Sequence, residues 1–304
     1  MIVLGVICGL LTALFQSLSY LCSAGFMARY GSSFRLLIFS QLAMGALSLA
    51  ALPFFLPLSH LAGREWSVVI VLAVWFVVLC IGQSGFFSTQ KFIEASRLSS
   101  LLGLKILLLM AIDLVFNRNQ PGILQLVGAV LCMGAAFVMN WSGSGSKGKI
   151  TGISLCLLLV TLVFYSLADI VETKLVNMQQ SGSIYTDGIV TTLLCYAFMG
   201  ICSLPFLFKI KWNCQEQLHA APFGIIWLIS QITLMICFGT LGPVFGNVLQ
   251  SSRGIISVLL GLAVCSLGWG KKLDSPATGM VWVRRICGAL MMSGGIICYT
   301  VGTV

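Results

Sequence analysis

Charge is scarce in this sequence. Aspartate and glutamate together number 8 among 304 residues, and all charged side chains make up 8% of the chain. Soluble domains typically carry about a quarter charged residues, so a soluble globular protein is excluded. Hydrophobic residues reach 59% and the mean hydropathy is +1.04, in continuous apolar runs rather than alternating strands. We therefore predict an all-α polytopic membrane protein.

Motifs of enzymes and of metal sites are also missing. The sequence contains no G-x-x-x-x-G-K-[ST], no G-x-S-x-G and no H-E-x-x-H. Its 12 cysteines form no C-x-x-C pair and lie almost entirely inside apolar runs, where they serve as small packing residues. These absences predict that the protein is not an enzyme and uses no cofactor or metal. They also exclude ATP drive by this chain itself.

Ten apolar runs are long enough to cross a bilayer, since a span needs roughly 20 residues. They cover residues 2–22, 34–57, 67–87, 97–116, 122–140, 151–171, 186–208, 223–245, 252–270 and 284–303. A Gly/Ser-rich stretch, residues 142–149, falls near the centre of the chain. It predicts two halves, residues 1–141 and 150–304, with five spans each.

Short similarities between the halves indicate an internal repeat. "EASR" at Glu94 to Arg97 resembles "QSSR" at Gln250 to Arg253, and "LLGL" follows each of them. "GVICGLL" at Gly5 resembles "GISLCLL" at Gly152. Because five is odd, the second half would enter the membrane from the opposite side. Inverted repeats of this kind place a binding site near the bilayer midplane.

The basic residues carry information about orientation. The net charge is +9, but the 17 basic residues lie mostly in short gaps between apolar runs, which indicates membrane topology rather than nucleic-acid binding. With the N-terminus outside, twelve of them fall in inner loops and four in outer loops. The asymmetry predicts that both termini are extracytoplasmic.

Together these features resemble the drug/metabolite transporter superfamily, in particular its EamA-type permeases. The resemblance is carried by "EASRLSSLLGLKILLLMAIDLVF" with "QPGILQLVGAVLCMGAAFVMN", and by "QSSRGIISVLLGLAVCSLGWG" with "RRICGALMMSGGIICYT" in the second half. It implies a secondary transporter of a small polar metabolite, in the bacterial inner membrane, working by alternating access. A non-transporting scaffold or sensor of the same fold is the alternative. The oligomeric state stays open between monomer and homodimer.

Lys105 is the first candidate for the binding site. A lysine deep in a span costs on the order of 3 kcal/mol to insert, and Lys105 is about 12 Å from Arg97 along the helix. It would attract a carboxylate, a phosphate or electron-rich hydroxyls of a substrate, or form a structural ion pair with an acid on another helix. Asp113, about 80° around the same helix, is a coupling candidate or an interfacial residue.

Further candidates lie on the first and sixth spans. Asp169 is a candidate for substrate binding and proton coupling, because buried carboxyl groups act as proton relays in transporters, or it caps a fraying helix end. Tyr165 is four residues before it, on the same face. By the repeat, Gln16 and Tyr20 correspond to Tyr165 and Asp169. These four residues would line a cavity or hydrogen-bond between helices.

Two arginines complete the set of candidates. Arg97 and Arg253 match across the repeats, each at the start of a span. They would anchor the helices at the interface or gate one face of a cavity. Gly239, Gly242 and Pro243 crowd the end of the eighth span and predict close contact or bending there.

Overall fold

The structure is a computed structural model that describes residues 2–55, 65–89, 92, 101–116, 122–140, 152–253, 256, 259–260 and 279–302. Throughout these residues the regular secondary structure is helical. The prediction of an all-α protein is therefore confirmed for this part of the chain. Arg97, the linker 142–149 and most of the ninth predicted span, 252–270, lie outside the described residues.

Nine helices carry the fold of the described residues. They are α1 (Ile2–Tyr30), α2 (Ser33–Phe55), α3 (Glu65–Thr89), α4 (Lys105–Phe116), α5 (Ile123–Asn140), α6 (Gly152–Gln179), α7 (Ile184–Ser203), α8 (Cys214–Ser251) and α9 (Gly279–Val301). A 3₁₀ turn, Leu102–Leu104, leads into α4. A second one, Leu204–Phe206, extends α7 towards a short helix, Leu207–Ile210.

Six of the described helices are long and apolar enough to cross a membrane. They are α1, α2, α3, α6, α7 with its extension, and α8. Two shorter apolar stretches, Ile123–Ala135 and Ile286–Val301, belong to α5 and α9. By length and composition, these helices indicate an integral membrane protein with several spans.

The helix ends differ from the predicted spans in two informative places. Lys105 is the first residue of α4, directly after the 3₁₀ turn, whereas the sequence placed it about eight residues into an unbroken span. Helix α6 continues past the predicted end at residue 171 to Gln179, because its backbone hydrogen bonds do not end where the apolar run ends. Asp169 is consequently an interior residue of α6 and does not cap a fraying end.

The described chain forms two compact units, and each combines segments from both halves of the sequence. Unit 1 contains Met1–Phe76 and Val171–Gly242, and unit 2 contains Val77–Ile170 and Pro243–Val304. The two compact units are defined by contacts between residues, whereas the two predicted repeats are defined by similarity of sequence. The predicted boundaries at 141 and 150 therefore stay a prediction.

In unit 1, α2 packs against α7 at a crossing of two glycines. A Cβ atom on Gly45 would lie 2.6 Å from the Cα atom of Gly200, and a Cβ on Gly200 would lie equally close to Gly45. Because the side chain of glycine is a single hydrogen atom, the two helix backbones can approach closely here, as they do at small residues in other membrane helices. Any larger residue would push the helices apart.

Unit 2 contains a second crossing of the same kind, between α5 and α9. A Cβ atom on Gly128 would lie 2.6 Å from the carbonyl oxygen of Gly295 and 2.7 Å from the backbone nitrogen of Tyr299. Elsewhere in the unit, the ring of Tyr165 covers Gly82, so that α3 and α6 also meet closely. Close approach at glycine is thus the common packing device of both units.

Candidate functional site

An apolar cluster in unit 2 positions the start of α4 on α6. Leu101 and Leu102, with Phe86 of α3, pack against Leu158 and Leu162. Lys105 follows Leu101 by one helical turn, while Asp169 follows Leu162 by seven residues, which is two turns on the same face. The contacts that bury the leucines therefore bring the two charged residues towards each other.

Lys105 and Asp169 form a buried ion pair. The ammonium nitrogen Nζ lies 3.0 Å from the carboxylate oxygen Oδ2, and each side chain keeps only 9% of its surface exposed. The structure thus brings together two of the residues that the sequence singled out. It also matches the alternative in which Lys105 is paired with an acid of another helix. Their roles in transport stay a prediction.

Asn247 of α8 contacts the same carboxylate. Its amide Nδ2 donates to Asp169 Oδ2 at 2.6 Å and to the backbone carbonyl of Pro243 at 2.8 Å. Three different helices, α4, α6 and α8, thus converge on one carboxylate oxygen. Lys105, Asp169 and Asn247 together are called the polar triad below.

The break in α8 explains how Asn247 reaches this position. Gly242 has φ 78° and ψ 167°, a conformation that is essentially restricted to glycine, and Pro243 follows it. Proline lacks the N–H that would continue the helical hydrogen bonds, so the helix bends here. Residues beyond the bend carry Asn247 one turn into the second segment, and the predicted bend near Gly239, Gly242 and Pro243 lies at Gly242.

The polar triad is costly to build and therefore informative. Taking two charges out of water costs several kcal/mol for each ion, and mutual attraction recovers this only with good geometry and additional hydrogen bonds. Asn247 supplies such a hydrogen bond. Ionisable residues buried within membrane helices mark substrate or ion pathways by default. The polar triad can bind a polar molecule. A charged ligand could also take the place of Lys105 or Asp169 in the ion pair.

The other predicted residues of unit 2 that the structure describes are Tyr165, Asp113 and Arg253. The Tyr165 ring lies 6.1 Å from the ring of Phe86, as part of the apolar cluster. Asp113 is half-buried on α4. Arg253 is buried, with 6% of its surface exposed. The gating and coupling roles of Asp113 and Arg253 stay predictions.

Unit 1 holds a separate polar feature, which we call the aromatic–glutamate chain. The Trp75 indole N–H donates to Glu172 Oε1 at 2.8 Å, and its ring meets the ring of Tyr196 edge-on at 6.1 Å. The Trp227 indole N–H donates to the Tyr196 hydroxyl at 2.9 Å, and Tyr20 meets the Trp227 ring at 5.9 Å. Five helices contribute one residue each, and indole donors compensate the buried polar groups.

The predicted residues of the first span belong to this unit. Gln16 is fully buried on α1 at 1% exposure, and Tyr20 is half-buried at the end of the aromatic–glutamate chain. The repeat-based correspondence of Gln16 and Tyr20 with Tyr165 and Asp169 links residues of different units. A shared cavity for all four stays a prediction. Arg97 lies outside the described residues.

The contributors that the sequence did not single out as site residues are Asn247 of the polar triad and Trp75, Glu172, Tyr196 and Trp227 of the aromatic–glutamate chain. Asn247 had one available signal, its position four residues after a Gly-Pro pair that predicts a broken helix. Trp75 lies in a fully apolar stretch, "VLAVWFVVL", and only its indole N–H sets it apart. Within the described part of the chain, no group of three or more metal-ligating side chains comes together.

The fold and the buried triad define a polytopic helical membrane protein with charges held inside. Residues 3–141 match the model of the EamA-like transporter family, which is part of the drug/metabolite transporter superfamily. The predicted resemblance to EamA-type permeases is therefore confirmed over residues 3–141. Proteins of this family are transporters rather than enzymes.

Solved structures are similar to this chain in fold. Among the 28 matching chains is one described as "Crystal structure of protein", which has a TM-score of 0.69 and 15% sequence identity. The match covers 98% of this chain and 96% of that chain. At this identity the likeness concerns the fold alone. The comparison with curated proteins gives no match.

Proposed function

We propose that this protein is a secondary transporter of a small polar metabolite, and that the polar triad is part of its binding site. Ten spans, arranged as two inverted five-helix repeats, would alternate access around a cavity near the bilayer midplane. The observation that carries the proposal is the buried Lys105–Asp169 pair, joined by Asn247 from a helix broken at Gly242. Charges buried between membrane helices are costly to insert, which favours a functional role for the residues that carry them.

The inverted repeat gains support from the two glycine crossings. Helices α2 and α7 correspond to the second span of each predicted half, and α5 and α9 to the fifth span of each half. Equivalent helices of the two predicted halves thus meet in pairs, which is consistent with a two-fold relation between the repeats. Discontinuous helices at substrate sites are a recurring feature of transporters built from such repeats.

The first experiment is a thermal-shift screen of purified protein in detergent, followed by transport. The panel contains amino acids, sugars, organic acids, nucleosides and lipophilic cations, tested on the wild type and on Lys105→Met. Lys174→Met serves as the control, because Lys174 is exposed on α6. We expect one class to stabilise the wild type and the control but not Lys105→Met, since binding to the folded state raises its apparent stability.

The hit is then radiolabelled and its exchange measured in proteoliposomes. Because Lys105→Met leaves a buried carboxylate, the charge-free variant Lys105→Met/Asp169→Asn is tested beside it. We expect both variants to lose exchange, the second one as well-folded protein. Undiminished exchange by the double variant would remove the triad from the site. Binding by the wild type without any exchange would favour a scaffold or sensor over a transporter.

A further inference from the structure

Both ends of the polar triad have hydrogen-bonding capacity to spare. An ammonium group carries three N–H donors. Within the described part of the chain, Asp169 is the ion-pair partner of Lys105, at 3.0 Å. Lys105 is only 7% exposed, so its side chain has little contact with bulk water. These donors lie next to Asp169 and can donate to a ligand oxygen.

Asn247 offers the complementary group. Its Nδ2 donates to two acceptors, the carboxylate of Asp169 and the carbonyl of Pro243, which fixes the orientation of the amide. Its carbonyl oxygen Oδ1 is buried and has no hydrogen-bond donor among the described residues. Asn247 is 2% exposed. A buried acceptor without a donor carries a desolvation penalty, which a ligand group that donates to Oδ1 would offset.

Charge balance restricts which ligand can complete it. Lys105 and Asp169 already neutralise each other. A carboxylate would be repelled by Asp169 and an ammonium by Lys105, and either would add an uncompensated charge to a buried place. A zwitterion would first have to separate the existing pair. A neutral ligand leaves the pair intact.

Hydroxyl groups fit the remaining atoms best, because one hydroxyl both accepts and donates. We propose that the polar triad binds a neutral polyhydroxylated molecule, a sugar or a polyol. One hydroxyl oxygen accepts from Lys105 Nζ, and a hydroxyl of the same molecule donates to Asn247 Oδ1. This assignment rests on the proposed function, since it names the substrate class of that same site.

The test uses ligands that share a skeleton and differ in charge. Purified wild-type protein receives glucose, glucosamine and glucuronate, galactose, galactosamine and galacturonate, and the neutral polyols sorbitol, xylitol and myo-inositol. Alanine and glutamate represent amino acids. Binding is measured by thermal shift and by isothermal titration calorimetry. We expect a neutral compound of the panel to bind, and its amino and acidic counterparts to bind at least tenfold more weakly.

Asn247→Leu examines the donor–acceptor argument separately. This variant keeps Lys105 and Asp169 but removes the Oδ1 acceptor together with the Nδ2 donor to Asp169, so we expect the affinity for the neutral ligand to fall at least tenfold. Asn177→Leu is the matched control, because Asn177 is exposed on α6, and its affinity should equal that of the wild type. Circular dichroism and size exclusion show whether each variant is folded. If Asn247→Leu is unfolded, Asn247→Ser takes its place and the same loss is expected.

Several outcomes would overturn the assignment. It fails if a charged compound binds and its neutral counterpart does not, if Asn247→Leu binds as well as Asn177→Leu, or if no neutral compound of the panel binds. Exchange of an amino acid that depends on Lys105 would keep the proposed transport function and reject a polyol as substrate. Binding of a polyol without exchange would keep the site and reject transport.

Discussion

Lys105 and Asp169 neutralise each other across 3.0 Å within unit 2, and neither is more than a tenth exposed. The apolar cluster that positions the pair is formed by residues earlier in the chain than Lys105 on one side and Asp169 on the other. Asn247 adds a hydrogen bond to the carboxylate of Asp169. Because both side chains are buried, the charge of each one is stabilised mainly by the charge of the other.

Removing one charge should harm the protein more than removing both. We expect Lys105→Met and Asp169→Asn each to lower the free energy of unfolding by about 3–5 kcal/mol, because the remaining charge stays buried without its partner. The double variant Lys105→Met/Asp169→Asn should lose less than either single variant. Tryptophan fluorescence during thermal denaturation in detergent measures the three values. Additive losses would mean that the two side chains do not act as a pair, and Lys174→Met, on the exposed side of α6, should match the wild type.

The glycine at the break in α8 should resist substitution. At φ 78° and ψ 167°, alanine at position 242 would be strained by about 1–3 kcal/mol. We therefore expect Gly242→Ala to lower the melting temperature. Gly25→Ala is the control, since Gly25 lies in α1 with no atom within 4 Å of the added Cβ. A melting temperature for Gly242→Ala equal to that of the control would show that the break does not require glycine.

Two neighbouring glycines of α9 provide a sharp test of the crossing with α5. A Cβ on Gly295 would lie 2.7 Å from the Gly128 carbonyl oxygen, whereas a Cβ on Gly294 meets nothing within 4 Å. We expect Gly295→Ala to destabilise the protein by about 1–3 kcal/mol, the usual cost of forced overpacking. Gly294→Ala should be neutral or stabilising by up to about 1 kcal/mol, since alanine favours helix more than glycine does. Equal melting temperatures for the two variants would contradict the crossing.

The hydrogen bond from Trp75 to Glu172 should contribute measurably to stability. Trp75→Phe keeps an aromatic ring but removes the indole donor, which should cost about 1–3 kcal/mol because Glu172 Oε1 is buried. Trp66→Phe is the matched control, because Trp66 is 81% exposed. The melting temperatures of the two variants are measured by circular dichroism. The comparison is matched because each variant replaces one tryptophan with phenylalanine. If the two variants melt together, the indole donor contributes nothing.

The membrane class and the apolar helices could be predicted from composition, because burial in lipid requires long apolar runs whatever the detailed packing. Lys105 and Asp169 could be singled out for the same reason, since charge is costly there. Their contact could not be predicted, because it depends on how Leu101, Leu102 and Leu162 pack in three dimensions.

Asn247 and Trp75 show a different limit of the sequence. Asparagine and tryptophan are common in membrane helices as interhelical donors and as interfacial residues, so neither stands out by type. The contacts of Asn247 arise from a bend at Gly242, and those of Trp75 from a glutamate on another helix. Such contacts depend on how the helices are oriented in three dimensions, which the hydropathy of the sequence does not determine.

The glycine crossings also bear on how the protein is made. The face of α2 around Gly45 and the face of α5 around Gly128 are covered by α7 and α9, which the ribosome produces later. Helices α2 and α5 are therefore inserted into the bilayer before their partners, and their glycine faces stay uncovered until α7 and α9 are inserted. Two polypeptides divided between residues 141 and 150 should consequently be degraded when each is expressed alone, and should accumulate when they are produced in the same cell.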